Sequence, residues 1–202
     1  MMSKAQVTRQ WIIEQAAALF NQCGYKGTSL SDIMQATGLK KGGIYNHFRN
    51  KDDLALAAFD YGVQQLQQRY RLVLLDRTDA INRLQMMVDV FNSTIEDARL
   101  PGGCPILNTA VDSDDTHPLL RQRTQEAMDN WQEMIKQIIN RGVKRGEIQA
   151  TVDVDMATTV FISTLEGSLM MTRLYGDRAY LDHARQHLFH YIETSLKPQK
   201  LN

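Results

Sequence analysis

The chain has 202 residues, 43% of them apolar and 23% charged, the composition of an ordinary globular protein with room for one or two domains with a real core. No cationic start followed by an apolar core opens it, no apolar run approaches the ~18 residues that cross a bilayer, and its two cysteines, Cys23 and Cys104, are too few for a disulfide scaffold; a soluble protein of the reducing cytoplasm, with no membrane partner, is expected. Its 23 basic and 23 acidic residues balance overall but not locally: up to Lys51 seven basic residues face two acidic ones, a net charge of +5, which leaves −5 for the remainder. A basic first quarter on an acidic body is the charge layout of a nucleic-acid-binding head.

In chain order, residues 8–22 read as an amphipathic helix with Ile12, Ala16, Leu19 and Phe20 on one side. Trp11 is expected to pack on its flank and Cys23 to be a small buried residue. Ser29-Leu30-Ser31-Asp32 has the form of an N-terminal cap, and Leu30, Ile33, Met34 and Ala36 give an apolar face to a short helix ending near Thr37. Gly38 permits the positive φ of a tight turn. Residues 40–48 form the next helix, in which Ile44 and Phe48 are four apart and anchor it to the one before. That leaves Lys41, Tyr45 and Asn46 pointing away from the anchor. Gly42 and Gly43 allow the backbone close to a sugar-phosphate, and the lysines at this helix start, opposed by the helix dipole, make sense if an anion normally sits there. Two short helices joined by a glycine turn, the second studded with polar and aromatic groups, are what a major-groove reader requires.

These residues carry a resemblance. The stretch is similar to the DNA-binding domain of the TetR family of bacterial transcriptional regulators: Phe20, Gly24 and Tyr25 closing a helix, then Thr28-Ser29, Ile33 and Gly38, then glycine before Ile44-Tyr45-Asn46-His47-Phe48, then Lys51-Asp52-Asp53-Leu54. It departs from the family pattern at Lys40, where a small hydroxyl residue usually opens the recognition helix. The resemblance implies phosphate contacts from Thr28, Lys41, Tyr45, His47, Lys51 and the backbone near Gly42, with base reading by Lys40, Lys41, Gly43 and Asn46. Asparagine suits adenine and lysine suits guanine in the major groove.

Beyond the head, Asn50 caps a long helix over residues 51–75, with Asp52 and Asp53 in its first turn. A helix over 79–97 carries Ile81, Leu84, Val88, Phe91 and Ile95 at spacings of three and four. Pro101-Gly102-Gly103 breaks the chain, Pro105 opens a short helix over 106–112, and residues 113–118 make a polar turn. Helices follow over about 120–144, 153–175 and 178–196. No strand alternation is present, so the expected class is all-α with about nine helices, divided as a three-helix helix-turn-helix head (residues 1–50) and a ligand-sensing and dimerisation bundle (51–202).

The last two helices carry more apolar surface than a small monomer buries, which favours pairing with a second copy. The resemblance implies the same homodimer, facing a palindromic double-stranded operator. It also implies a cavity for a small apolar effector among the body helices, placed here among Phe59, Val63, Phe91, Ile95, Leu107, Trp131, Met134, Phe161, Leu165 and Met170, which are otherwise plain core, with Asn92, Asn108 and Glu166 as polar residues that either orient the effector or face solvent. Gly103-Cys104 through Asn108 resembles a G-C-x-x-x-N segment found in part of the family. Cys104, at a helix start, is either a reactive thiol or a structural residue at the cavity rim. His183, His187 and His190 share one helix face, but no carboxylate or cysteine pattern completes a metal site. No catalytic set and no cofactor motif can be assembled. The expected function is a transcriptional repressor released by a small molecule; the alternative is a ligand- or redox-responsive activator or DNA-organising protein.

Overall fold

A computed structural model of the chain describes residues 3–74, 79–96, 101–113 and 117–198. The first helix, α1 (Lys4–Gly27), starts earlier than its apolar periodicity suggests because Ser3 and Gln6 form a capping box: Ser3 Oγ accepts from Gln6 N at 3.2 Å and Gln6 Oε1 from Ser3 N at 2.7 Å. It breaks at Gly24, whose φ of 74° and ψ of 169° lie outside the helix. Then come α2 (Leu30–Thr37), α3 (Lys41–Tyr45) and α4 (Lys51–Leu74), the last capped by Asn50, whose Oδ1 accepts from Asp53 N at 2.8 Å. The expected end of α4 at residue 75 lies outside the described residues.

α5 (Ala80–Asn92) is capped by Asp79, and after Ser93 the chain tightens into a 3₁₀ turn, Thr94–Glu96, instead of running on as α-helix. The expected end of that helix at residue 97 is outside the described residues, as are 114–116 of the polar turn. α6 (Pro105–Ser113), α7 (Pro118–Lys144), α8 (Val154–Tyr175) and α9 (Ala179–Tyr191) follow, and α9 widens at its end into a π-helical turn, Ile192–Leu196. The fold is all-α, with nine α-helices among the described residues. No described helix is long and apolar enough to cross a membrane.

By packing, the chain divides into two compact units, Met1–Gln67 with Glu96–Ala127, and Gln68–Ile95 with Met128–Asn202. The first therefore groups α6 with the head helices. Its core is built from Ile12, Ile13, Ala16 and Ala17 of α1, Ile33 of α2, Ile44 of α3, then Phe48, and Leu54 and Ala58 of α4. Trp11 does not pack into it: the ring is exposed and its Nε1 donates to Thr37 O at 3.2 Å, bridging α1 to the end of α2. Cys23, expected to be buried, is exposed on the last turn before the break. Cys23 lies on the helical stripe of Ile12, Ala16 and Leu19, but beyond the last α1 residues that the core covers, Ala16 and Ala17.

In the second unit α9 lies against α5 and α8. Leu84, Met87, Val88 and Phe91 of α5, Ile135 and Ile139 of α7, Phe161, Leu165 and Leu169 of α8, and Leu181 and Leu188 of α9 are all buried. Asn92, expected to face either a ligand or solvent, is buried and so does not face solvent; it donates through Nδ2 to Leu181 O at 3.3 Å, fastening α5 to α9.

Candidate nucleic-acid interface

The helix-turn-helix is set by local chemistry. Ser29 and Asp32 close a capping box on α2, with Ser29 Oγ accepting from Asp32 N at 3.2 Å and Asp32 Oδ2 accepting from Ser29 N at 2.7 Å. The Ser29 hydroxyl, which donates to Asp32 Oδ2 at 2.7 Å, and then the Ser29 N–H hold the Asp32 carboxyl below the usual carboxylate range. Gly38 then takes the left-handed conformation, φ 71°, and its N–H donates to Met34 O at 3.0 Å, so the chain turns where only glycine does so without strain. Buried Ile44 and Phe48 pin α3 to α1 and α2.

With Ile44 and Phe48 inward, the other side of α3 faces out. Lys40, Lys41, Gly42, Tyr45 and Asn46 are exposed, and Gly43 and His47 are half-buried. Lys40 gives α3 no side-chain cap, and the Lys41 ammonium lies 5.8 Å from the centre of the Tyr45 ring. A Cβ added at Gly42 would meet nothing within 4 Å, and one at Gly43 would make only ordinary contact with Leu39. Neither glycine is required by packing within the chain, although glycine in a helix costs about 1 kcal/mol relative to alanine. Seven of the nine residues named from the sequence as DNA contacts are thus brought together on or beside α3.

The other two, Thr28 and Lys51, are turned inward. Thr28 is 1% exposed and its hydroxyl donates to Gly24 O at 2.8 Å and Leu19 O at 3.3 Å. The Lys51 ammonium donates to Tyr25 O at 2.6 Å and lies 4.2 Å from the centre of the Tyr25 ring. Burial pulls its pKa down, opposed by Asp52, Asp112 and Asp32. Tyr25 is the hub of this group. Its hydroxyl donates to Asp52 and its ring stands edge-on to His117 at 4.7 Å. Burial first, and then Asp52 as acceptor and as charge, pushes the phenol up to about 12. His117 accepts from Leu120 N at 3.2 Å through Nδ1, capping α7, and its Nε2 is 3.7 Å from Asp52 Oδ1.

A family model described as "Bacterial regulatory proteins, tetR family" matches residues 12–58, and one described as "Tetracyclin repressor-like, C-terminal domain" matches residues 80–188. The chain belongs to the TetR family. A TetR transcriptional regulator from Chloroflexus aurantiacus J-10-FL is 45% identical, with 98% of this chain and 100% of that one covered at a TM-score of 0.94. A putative transcriptional regulator from Saccharomonospora viridis, solved in complex with choline, is 26% identical over 95% of this chain and 98% of that one, at a TM-score of 0.83. The probable HTH-type transcriptional regulator ArpR of Pseudomonas putida is 30% identical over 81% of this chain and 79% of its own length. This TetR-family protein is therefore a DNA-binding helix-turn-helix transcriptional regulator and not an enzyme.

The residues expected around an effector fall in both units of the regulator. In the first, Phe59, Val63 and Cys104 are buried, while Leu107 and Asn108 are half-buried. Phe59 and Asn108 line a small cleft with Ala17, Phe20, Tyr25 and Asp112. Cys104 has no exposed surface, which withholds its thiol from solution reagents. In the second unit Trp131 stacks on Phe91 with ring centres 5.8 Å apart and lies 6.2 Å from Tyr70. Phe161, Leu165 and Glu166 are buried there, Ile95 and Met134 half-buried, and Met170 is 54% exposed. His183, His187 and His190 are exposed on α9, and no group of three metal-ligating side chains is assembled among the described residues.

Three residues in the first unit escaped sequence reasoning: Asn21, Asp112 and His117. Asn21 carried a usable signal, since it follows Ile13 and Ala17 at four-residue steps and so puts an amide on the buried stripe of α1. The other two sit in a short helix and in a turn, where periodicity says little.

Proposed function

We propose that two copies of this regulator bind a palindromic operator through α3 in the cytoplasm, and that a small apolar effector loosens the complex, so that the protein acts as a ligand-released repressor. In this reading residues 1–50 dock on the duplex, and residues 51–202 sense the effector and pair the two copies. The observation that carries it is the outward face of α3: Lys40, Lys41, Gly42, Tyr45 and Asn46 are exposed together, on glycines the chain's own packing does not require. Lysines neutralise phosphates and release counterions, asparagine reads a base edge, and glycines admit the sugar-phosphate closely.

Pairing is supported by α8, where Met170, Met171, Leu174 and Tyr175 leave a contiguous apolar end exposed, Leu174 by 70% and Tyr175 by 64%. Such an end is a natural seam for a second copy. The effector reading is supported by the buried apolar side chains of the second unit, Phe91 and Trp131 stacked among them, and by the similar Saccharomonospora viridis protein, which was solved with a small molecule, choline, bound.

The test is a titration of the purified protein into the intergenic duplex beside its own gene at moderate salt. A complex with two protomers per site, abolished by scrambling the duplex, is expected. Equal binding to scrambled DNA contradicts operator recognition, and one protomer per site contradicts the paired arrangement.

A further inference from the structure

In an intact helix the N–H of Tyr25 would donate to the carbonyl of Asn21, four residues back. The break at Gly24 turns that N–H away, and α6 takes up both halves of the lost bond. Tyr25 N donates to Asp112 Oδ2 at 2.7 Å, and Asn21 O accepts from Asn108 Nδ2 at 3.0 Å. Asn108 and Asp112 are four apart on α6, as Asn21 and Tyr25 are on α1, so the two helices are stitched in matching register.

The rest of the joint is built around the same atoms. Asn108 Nδ2 also donates to Asn21 Oδ1 at 2.9 Å and Gly102 O at 2.8 Å, while Asn21 Nδ2 donates to Pro101 O and Gly103 O, both at 3.0 Å. Asn21 is 8% exposed, so these bonds are largely shielded from water. Gly102 has φ 110°, and a Cβ there would fall 2.6 Å from Asn21 O, so only glycine lets the segment approach this closely.

We propose that Asn108 and Asp112 are positioning residues for DNA binding: from α6 they hold the break in α1, and through it the last turn of α1 on which the head is seated. That turn carries Tyr25, whose carbonyl and ring receive Lys51 and whose hydroxyl engages Asp52, and it leads into buried Thr28. α6 lies inside the stretch matched by the C-terminal family model and α1 begins the N-terminal match, so the joint ties one to the other. The asparagine of the G-C-x-x-x-N segment thus faces the head helix. The inference rests on the reading of α3 as the DNA-docking surface.

The experiment compares operator affinity, by anisotropy of a labelled duplex across a salt series, for wild type, Asn108→Ala, Asp112→Ala and Asp112→Asn as full-length proteins. The alanine variants are expected to bind about five- to tenfold more weakly, within the range of ordinary coupling between sites, with the slope of affinity against salt unchanged. Asp112→Asn, whose amide oxygen still accepts from Tyr25 N, is expected to retain wild-type affinity. Asp112→Ala binding like wild type, or Asp112→Asn failing as badly as alanine, overturns the proposal. Hydrogen exchange at the Tyr25 amide of the wild type supplies a measurement that needs no variant. Operator is expected to change its protection, by reciprocity of coupling, and no change refutes the link. Lys41→Ala in the same series separates the two readings: if it too binds normally, the DNA surface is misplaced; if it weakens while Asn108→Ala and Asp112→Ala do not, only the joint is wrong.

Discussion

Lys41 and Lys51 flank the same short helix and carry the same charge, yet the structure uses them in opposite ways. Lys41 stands on the outer face of α3, with the Tyr45 ring 5.8 Å away, whereas Lys51 donates its ammonium to Tyr25 O at 2.6 Å and rests on an aromatic ring. Asn46 and Thr28 repeat the contrast, one exposed and one sealed with its hydroxyl on two backbone carbonyls. A family motif records that a residue type is wanted at a position. The position of its hydrogen-bond partner says whether the side chain is tied into the head or left on its surface.

The contrast can be sharpened by substitution. Asn46→Ala is expected to have the largest effect on selectivity, about 1–3 kcal/mol of discrimination at one base pair, with little change in binding to random DNA; competition between operator and point-mutated duplexes measures it. Thr28→Val is expected to lower the stability of the head by about 0.5–1.5 kcal/mol, the net worth of a hydrogen bond, and to leave sequence preference alone; urea unfolding beside the same competition assay separates the two. Gly42→Ala is expected to act with opposite signs, raising stability by roughly 0.5–1 kcal/mol through helix propensity while weakening operator binding, because the open space at Gly42 is where the duplex would come.

Tyr25→Phe is the smallest and bears on the inward group. The phenol is held neutral up to about 12 in the folded head against an ordinary value of 10.0. A raised pKa gives stability that is complete below the unfolded value and lost as pH climbs through the folded one. Wild-type stability therefore falls between 10.0 and about 12, and the phenylalanine variant should show a shallower fall, read from urea midpoints on either side of that window.

Much of the fold was legible because it rests on local rules. The caps at Ser29 and Asn50, the turn at Gly38 and the apolar spacing of α5, α7 and α8 each appear in the order of residues. What was not legible depends on contacts distant in the chain. The far end of α1 is decided by Asn108 and Asp112, 87 residues on from Asn21 and Tyr25, and no periodicity announces such a pair. Asn92 reads as a polar residue on an apolar helix, but only the approach of Leu181 O shows it to be a buried fastener. For the site the division is the same: the face of α3 follows from Ile44 and Phe48 pointing in, while the inward turn of Thr28 and Lys51 follows from the break at Gly24, where the sequence shows a glycine and no direction.

The most direct test is a pair of salt titrations of operator affinity, one on Lys41→Ala and one on Lys51→Ala. The slope of log affinity against log salt should become shallower by about 1 for Lys41→Ala, a lost phosphate contact, and stay at the wild-type value for Lys51→Ala even as its affinity falls. A Lys41→Ala protein with an unchanged slope would contradict the assignment of α3 as the surface that meets DNA.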